Sequence, residues 1–164
     1  MTTAAVDDKS LELQGLCPDE LLCLDRQLCF PLYAASKEVV RAYVPLLRDL
    51  DITYTQYIVM MVLWEQGSAS VRELGDRLFL DSGTLTPLLK KLEAKGLVSR
   101  TADATDGRRV VVELTDEGRA LKGKAARVPV AMGSCLGFSP AEAAQLKELL
   151  DKVIRNVRGE GVNE

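Results

Sequence analysis

The chain has 164 residues, 47% of them hydrophobic and 27% charged, with a formal net charge of −3. That length suits one compact domain, with or without extra helices given over to a partner, and the composition excludes a chain disordered beyond its ends. No apolar run approaches the roughly 18–20 residues that cross a bilayer. The polar, acidic N-terminal stretch lacks the plan of a signal peptide, so a cytoplasmic location is expected and the four cysteines read as thiols rather than a disulfide framework.

Residues 1–20 show no clear periodicity and are expected to form a flexible arm. From residue 21 to about 50 the pattern turns helical. Leu28, Leu32, Ala35, Val39, Ala42 and Leu46 recur at three- and four-residue steps, with starts, kinks or breaks expected at Pro31 and Pro45. A second helix is predicted over residues 55–65, apolar on most sides and ended by Gly67. Ser70 with Glu73 three residues on forms a capping box that opens a short third helix.

The stretch LDSGTLTPLLKKLEAKGLV reads as a turn feeding a fourth helix, with Leu85, Leu88, Leu89 and Leu92 as its buried stripe and Gly96 just past its end. Pro87 sits inside that pattern and bends a local rule, which is commoner at functional sites than elsewhere. Residues 98–101 and 110–114 are β-rich runs around an Asp106-Gly107 turn, a two-stranded wing. Thr115 opens a fifth helix toward Met132 that Pro129 threatens to cut. Ser139, Pro140 and Glu142 open a last one, striped by Leu146, Leu149, Leu150, Val153, Ile154 and Val157. The fold class expected is mainly α with a small β-hairpin wing: a winged helix-turn-helix with dimerisation helices at both ends.

The net charge argues weakly against a nucleic-acid partner, but it hides a local bias. Residues 82–109 hold six bases (Lys90, Lys91, Lys95, Arg100, Arg108, Arg109) against three acids (Glu93, Asp103, Asp106), a patch able to meet phosphate on an otherwise acidic body. Ser82, Thr86 and Lys90 share the helix face turned away from the leucines. Small hydroxyls at the helix start (Ser82, Thr84, Thr86, beside Pro87) suit base edges or phosphates, and Lys90 and Lys91 suit phosphate. Arg108 or Arg109 at a hairpin tip can enter a narrow minor groove, with Asp106 holding the guanidinium. A solvated amphipathic helix and a surface ion pair are the plainer alternatives; the hairpin that follows the helix tips the balance toward double-stranded DNA.

DSGTLTPLLKKLEAKGLV followed by DGRRVVVELTDEG resembles the MarR family of dimeric winged-helix regulators, from residue 21 onward. Within that family, QLCFPLYAASKEVVRAYVPLLRDLDITYTQYIVMMVLWE is similar to the organic-hydroperoxide-resistance repressors and their peroxide-sensing helix. The resemblance implies that Cys29 is the peroxidatic cysteine and that Tyr43 and Tyr54 approach its sulfur from the partner subunit. It implies that Arg108 is the wing arginine, with Asp106 as its acidic neighbour. Two-cysteine members of that subgroup carry a resolving cysteine near the C-terminus and form an intersubunit disulfide, which makes Cys135 the matching residue. The implied division is an arm at 1–20, a sensing and dimerisation region at 21–54, a DNA-binding domain at 55–115 and dimerisation helices at 116–164.

Apart from the resemblance, Cys29 reads first as a buried core cysteine on an amphipathic helix, because free cysteine is among the most buried residue types. A sensing thiol must be reachable, and apolar neighbours such as Leu28, Phe30 and Met60 or Met61 favour organic peroxides. Cys17 and Cys23 are extras, read as spectators in preference to competing resolvers. No cofactor is expected and no metal site, since the chain holds no histidine and no CxxC pair. A thiol peroxidase is disfavoured, for want of an arginine-threonine arrangement around Cys29 and of a histidine for acid–base work. Release by a non-covalent phenolic ligand is the remaining alternative to peroxide.

Overall fold

The computed structural model describes residues 18–102, 106 and 109–159. Two compact units emerge, one spanning Val39–Met132 and the other built from the segments on either side of it. In chain order the elements are α1 (Pro18–Leu21), α2 (Cys29–Leu47), α3 (Tyr54–Gln66), β1 (Ser68–Ser70), α4 (Val71–Leu78), α5 (Ser82–Ala94), β2 (Val98–Ala102), β3 (Val110–Leu114), α6 (Asp116–Ala125), α7 (Arg127–Leu136) and α8 (Pro140–Arg158). This is the expected fold class, with one strand more than the hairpin.

Prolines set two of the boundaries. The helix predicted from residue 21 starts only at Cys29, after a 3-10 turn over Leu24–Arg26 and an extended Gln27. The ring of Pro31 collides with the carbonyl four residues back in a continuous helix, and that carbonyl belongs to Gln27. Pro129 acts the same way on Ala125, so the single helix expected up to Met132 breaks at Ala126. It resumes with Pro129 in the first turn of α7, where its missing N–H costs nothing. Pro45 stays inside α2, which gives way to a 3-10 turn at Arg48–Leu50.

The central unit is a lobe around one core. The stripe read from α5 is buried in full, with Leu85 at 1%, Leu88 at 8%, Leu89 at 1% and Leu92 at 0% exposure. Each such side chain stabilises by about 1.5–3 kcal/mol. Leu63, Leu74, Val98 and Val112 close around it. The sheet is antiparallel in the order β1-β3-β2, with Ala69 opposite Val112 and Arg100 opposite the same residue on the other side. Strand β1 has only three residues, Ser-Ala-Ser, too few to show a period of two, and β3 supplies its register.

Gly118 locks the sheet to α6. A Cβ there would lie 2.0 Å from the Leu97 carbonyl oxygen, so only glycine fits. Its N–H donates to Thr115 Oγ1 at 3.0 Å, and its own carbonyl accepts from Trp64 Nε1 at 2.8 Å. The wing base, α3 and α6 thus meet at one backbone position.

The flanking unit has the opposite character. Leu22, Leu24, Leu28, Phe30 and Tyr33 are exposed, as is the whole α8 stripe of Leu146, Leu149, Leu150, Val153, Ile154 and Val157. A capping box opens α8, Ser139 accepting from Glu142 N and Glu142 from Ser139 N, as the sequence predicts. No helix among the described residues is long and apolar enough to cross a membrane.

Candidate functional site

The helix-turn-helix is α4 and α5, and its turn is built from capping chemistry. Ser70 and Glu73 form the reciprocal box at the start of α4. Phe79 ends that helix in the left-handed region at φ 56°, its ring exposed. Asp81, which the sequence reading passed over, is the N-cap of α5. Its carboxylate accepts from Thr84 N and from Thr84 Oγ1, each at 2.9 Å. Those bonds from Thr84 hold the Asp81 carboxyl below its ordinary value. The signal was available, an Asp three residues before a Thr at the head of an apolar stripe.

Ser82, Thr84, Thr86, Pro87, Lys90 and Lys91 are all exposed on α5, while the leucines face inward. The six share a surface because the period of 3.6 that buries the leucines turns these residues out. Thr86 Oγ1 donates to the Ser82 carbonyl at 2.8 Å, in the turn where Pro87 supplies no donor. Both threonine hydroxyls are therefore oriented within the helix and present acceptor lone pairs outward.

The charge around this surface is rearranged relative to the count along the chain. Arg100 is bound to Glu93 on α5, Nη2 to Oε2 at 2.5 Å and Nε at 3.0 Å. That hydrogen-bonded guanidinium keeps the Glu93 carboxyl below its usual range. Lys95 pairs with Asp51 at 2.6 Å. Both bases are spent on holding the lobe together, whereas Lys90 and Lys91 make no ion pair among the described residues. Arg109 donates its backbone N–H to the Asp106 carbonyl at 2.8 Å, and its guanidinium lies 3.7 Å from Glu73. Gly107 and Arg108, named for the turn and the wing, lie outside the described residues, as does Cys17.

Tyr43 and Tyr54 are brought together within the lobe, ring centroids 4.7 Å apart, and Tyr57 joins them at 5.8 Å from Tyr43. Burial first, then the neighbouring phenols, pushes the Tyr43 hydroxyl above its ordinary pKa, and Tyr57 follows for the same reasons. Both phenols stay protonated donors. Tyr57 was missed, though its position three residues after Tyr54 on one helix put it on the same face. Beside Tyr54 a cavity of about 460 Å³ is walled by Val40, Val44, Leu47 and Ile52. Met60 is fully buried in the lobe core, and Met61 is exposed.

Cys29, Cys23 and Cys135 are free and exposed. Cys29 is the first residue of α2, and Cys135 lies in the last turn of α7 between Gly133 and Gly137, the latter at φ 67°. Both belong to the flanking unit; Tyr43 and Tyr54 belong to the lobe. No group of three or more metal-binding side chains occurs among the described residues.

A capped helix pair, a leucine-backed second helix and a strand pair behind it define a winged helix-turn-helix transcriptional regulator. Residues 41–124 match the family described as transcriptional regulator SarA/Rot. An organic hydroperoxide resistance transcriptional regulator of Bacillus subtilis is 46% identical over 126 residues, covering 77% of this chain and 84% of that protein. The HTH-type transcriptional regulator TtmR of Methylorubrum extorquens is 51% identical over 132 residues, 80% of this chain and 68% of its own. Among solved structures, reduced AbfR bound to DNA superimposes with a TM-score of 0.74 at 33% identity, over 87% of this chain and 98% of that one. The same protein has been solved in a disulfide-formed state, which superimposes at 0.58 with 35% identity over 83% and 96%. The chain belongs to the MarR-type winged-helix transcriptional regulators, in the group that holds the SarA/Rot and organic-hydroperoxide-resistance proteins. These relatives are regulators rather than enzymes.

Proposed function

We propose that the chain is a homodimeric repressor that grips double-stranded operator DNA when reduced and lets go when an organic hydroperoxide oxidises Cys29. Ser82, Thr84, Thr86 and Pro87 meet the major groove, Lys90 and Lys91 the phosphates, and Asp106, Arg108 and Arg109 the flanking wing contact. The α8 stripe and the start of α2 form the dimer contact, and half-site spacing near one helical turn makes DNA binding sensitive to any change there.

The observation that carries the redox reading is that Cys29 and Cys135 are both free thiols outside the buried core of the lobe. A core cysteine, the plainer reading of Cys29, is buried. Cys29 also stands at the head of a long helix, the end where partial positive charge gathers. In the chemistry, the Cys29 sulfur attacks the outer peroxide oxygen. An S–O bond forms, the O–O bond breaks, and the alkoxide leaves as alcohol after taking a proton. The sulfenic acid is then attacked by Cys135 of the partner subunit; the S–S bond forms and the hydroxyl leaves as water. Peroxide is reduced by two electrons and two thiols are oxidised to one disulfide. Tyr43, whose hydroxyl burial keeps protonated, and Tyr54 beside it suit donating hydrogen bonds to charge on the sulfur across the dimer.

The test pairs a gel shift with non-reducing electrophoresis, on a duplex that the reduced protein selects from a randomised pool. Cumene hydroperoxide should release the DNA and produce a reducible covalent dimer, and Cys29→Ser should abolish both while still binding. The Cys135→Ser variant should lose the covalent dimer alone. Binding that survives peroxide sinks the sensor role. The cavity beside Tyr54 favours a second reading, release by a small phenolic ligand, which predicts that Cys29→Ser responds to the ligand as wild type does.

A further inference from the structure

A cleft of about 770 Å³ opens within the lobe between α4, α5 and the root of the wing, lined by Glu73, Asp76, Thr86, Arg100, Asp106 and Arg109. Thr86 belongs to the surface assigned above to DNA, so the cleft opens beside that surface. Two of its residues are tied in an uncommon way. Glu73 is the third residue of α4, and its Oε2 is fixed at 2.7 Å from Ser70 N by the capping box. The other oxygen, Oε1, stands 3.7 Å from Arg109 Nη2. One carboxylate therefore closes a helix with one oxygen and faces the wing arginine with the other. Because the cap pins the carboxylate, it is the long arginine that comes to the glutamate.

We propose that Glu73 is the resident counter-ion of Arg109, a positioning residue that holds the guanidinium in the cleft until a DNA phosphate displaces it. The inference rests on the DNA-binding reading above. Both side chains are more than half of the way exposed, Arg109 at 51% and Glu73 at 61%. A pair so exposed and so loose contributes little to folding, and its distance exceeds that of a charge-assisted hydrogen bond. A phosphate that offers a closer bidentate seat outcompetes it. The carboxylate meanwhile partly neutralises the arginine before DNA arrives, so fewer counter-ions are released from the DNA than the bases of the surface alone dictate.

Glu73→Gln separates the two duties, because glutamine also closes a capping box but carries no charge. The measurement is fluorescence anisotropy of a labelled random-sequence duplex of roughly 30 base pairs, long enough for two half-sites a turn apart. It is made at several salt concentrations on wild type, Glu73→Gln, Arg109→Gln and the double variant. Glu73→Gln should bind roughly two- to fivefold tighter, with a salt slope steeper by up to about 0.9, and with an unchanged urea midpoint. Arg109→Gln should bind more weakly with a shallower slope, and adding Glu73→Gln to it should raise affinity by less than it does in wild type. An equal gain from Glu73→Gln in both backgrounds means that any lost negative charge suffices, and overturns the pairing. Weaker or unchanged binding by Glu73→Gln overturns it as well. Failure of wild type to bind any duplex defeats the DNA reading itself and takes the counter-ion role with it.

Discussion

Helices α5 and α8 are written in the same amphipathic style and end in opposite circumstances. The leucines of α5 are 0–8% exposed, packed under α4 and the sheet of their own lobe. The stripe of α8 leaves Leu149 at 55%, Ile154 at 38% and Val157 at 77% exposure. Periodicity tells which face of a helix is apolar. It does not tell whether the covering surface comes from the same chain. An apolar stripe about three turns long, left exposed by a chain whose lobe buries its leucines, marks an association surface, and the homodimer proposed above puts a second copy on it. One helix makes the lobe; in the proposed dimer the other joins two lobes.

The sharpest way to break that contrast is to charge α8. Leu150→Glu with Ile154→Glu places two carboxylates one turn apart on the stripe, and an unpaired buried charge costs on the order of 3–5 kcal/mol. Sedimentation should show monomer where wild type shows dimer, with DNA affinity reduced by a hundredfold or more, since each lobe then binds alone. A variant that still sediments as the wild type would put the dimer contact elsewhere. The converse substitution is Leu89→Ala, at a site 1% exposed in the lobe core. It should lower unfolding free energy by about 2–5 kcal/mol in urea titration, without altering the oligomeric state of the folded fraction. Equal damage by both changes to both properties would erase the distinction between the helices.

Most of the lobe was legible. Caps at Ser70 and Thr115 in the lobe, like that at Ser139 in the flanking unit, stand where the sequence put them, because a cap is a local hydrogen bond between residues three apart. The α5 stripe and strand β3 were equally clear, their apolar periods being unbroken. What failed was non-local. Strand β1 exists because β3 passes beside Ser68–Ser70, and Gly118 is required because the Leu97 carbonyl approaches it; neither fact is written within a window of neighbours. Pro31 and Pro129 were flagged as breakers, but the breaks fall a few residues earlier, next to the carbonyl each ring would displace. In the candidate site, the exposed face of α5 followed from its period. The pairing of Arg100 with Glu93 and of Lys95 with Asp51 did not, and it removes two bases from the patch counted along the chain. The roles proposed for Cys29 and Cys135 come from resemblance alone; spacing gives a thiol no function.

The finest distinction between α5 and α8 lies at their first turns and should appear in acid. Both begin on a carboxylate held below its ordinary pKa, Asp81 by Thr84 and Glu142 by Ser139. A carboxyl depressed in the folded chain lends stability that is present above its unfolded pKa and lost as the pH falls through the folded value. In α5 the titrating group is itself the N-cap, so protonation weakens the acceptor that holds Thr84 N. In α8 the cap is the Ser139 hydroxyl, which does not titrate and still accepts from Glu142 N after Glu142 is protonated. Amide exchange at Thr84 and Leu85, taken as the ratio of wild type to Asp81→Asn at each pH, cancels the intrinsic acid dependence. Asparagine caps as well as aspartate but keeps its acceptor in acid. The ratio should be flat through neutral pH and turn toward faster exchange in wild type below the carboxylate range. The matching ratio at Glu142 and Ala143, for Glu142→Gln, should move less. A first turn of α5 no more sensitive to acid than that of α8 would mean that the Asp81 side chain is not what starts the recognition helix.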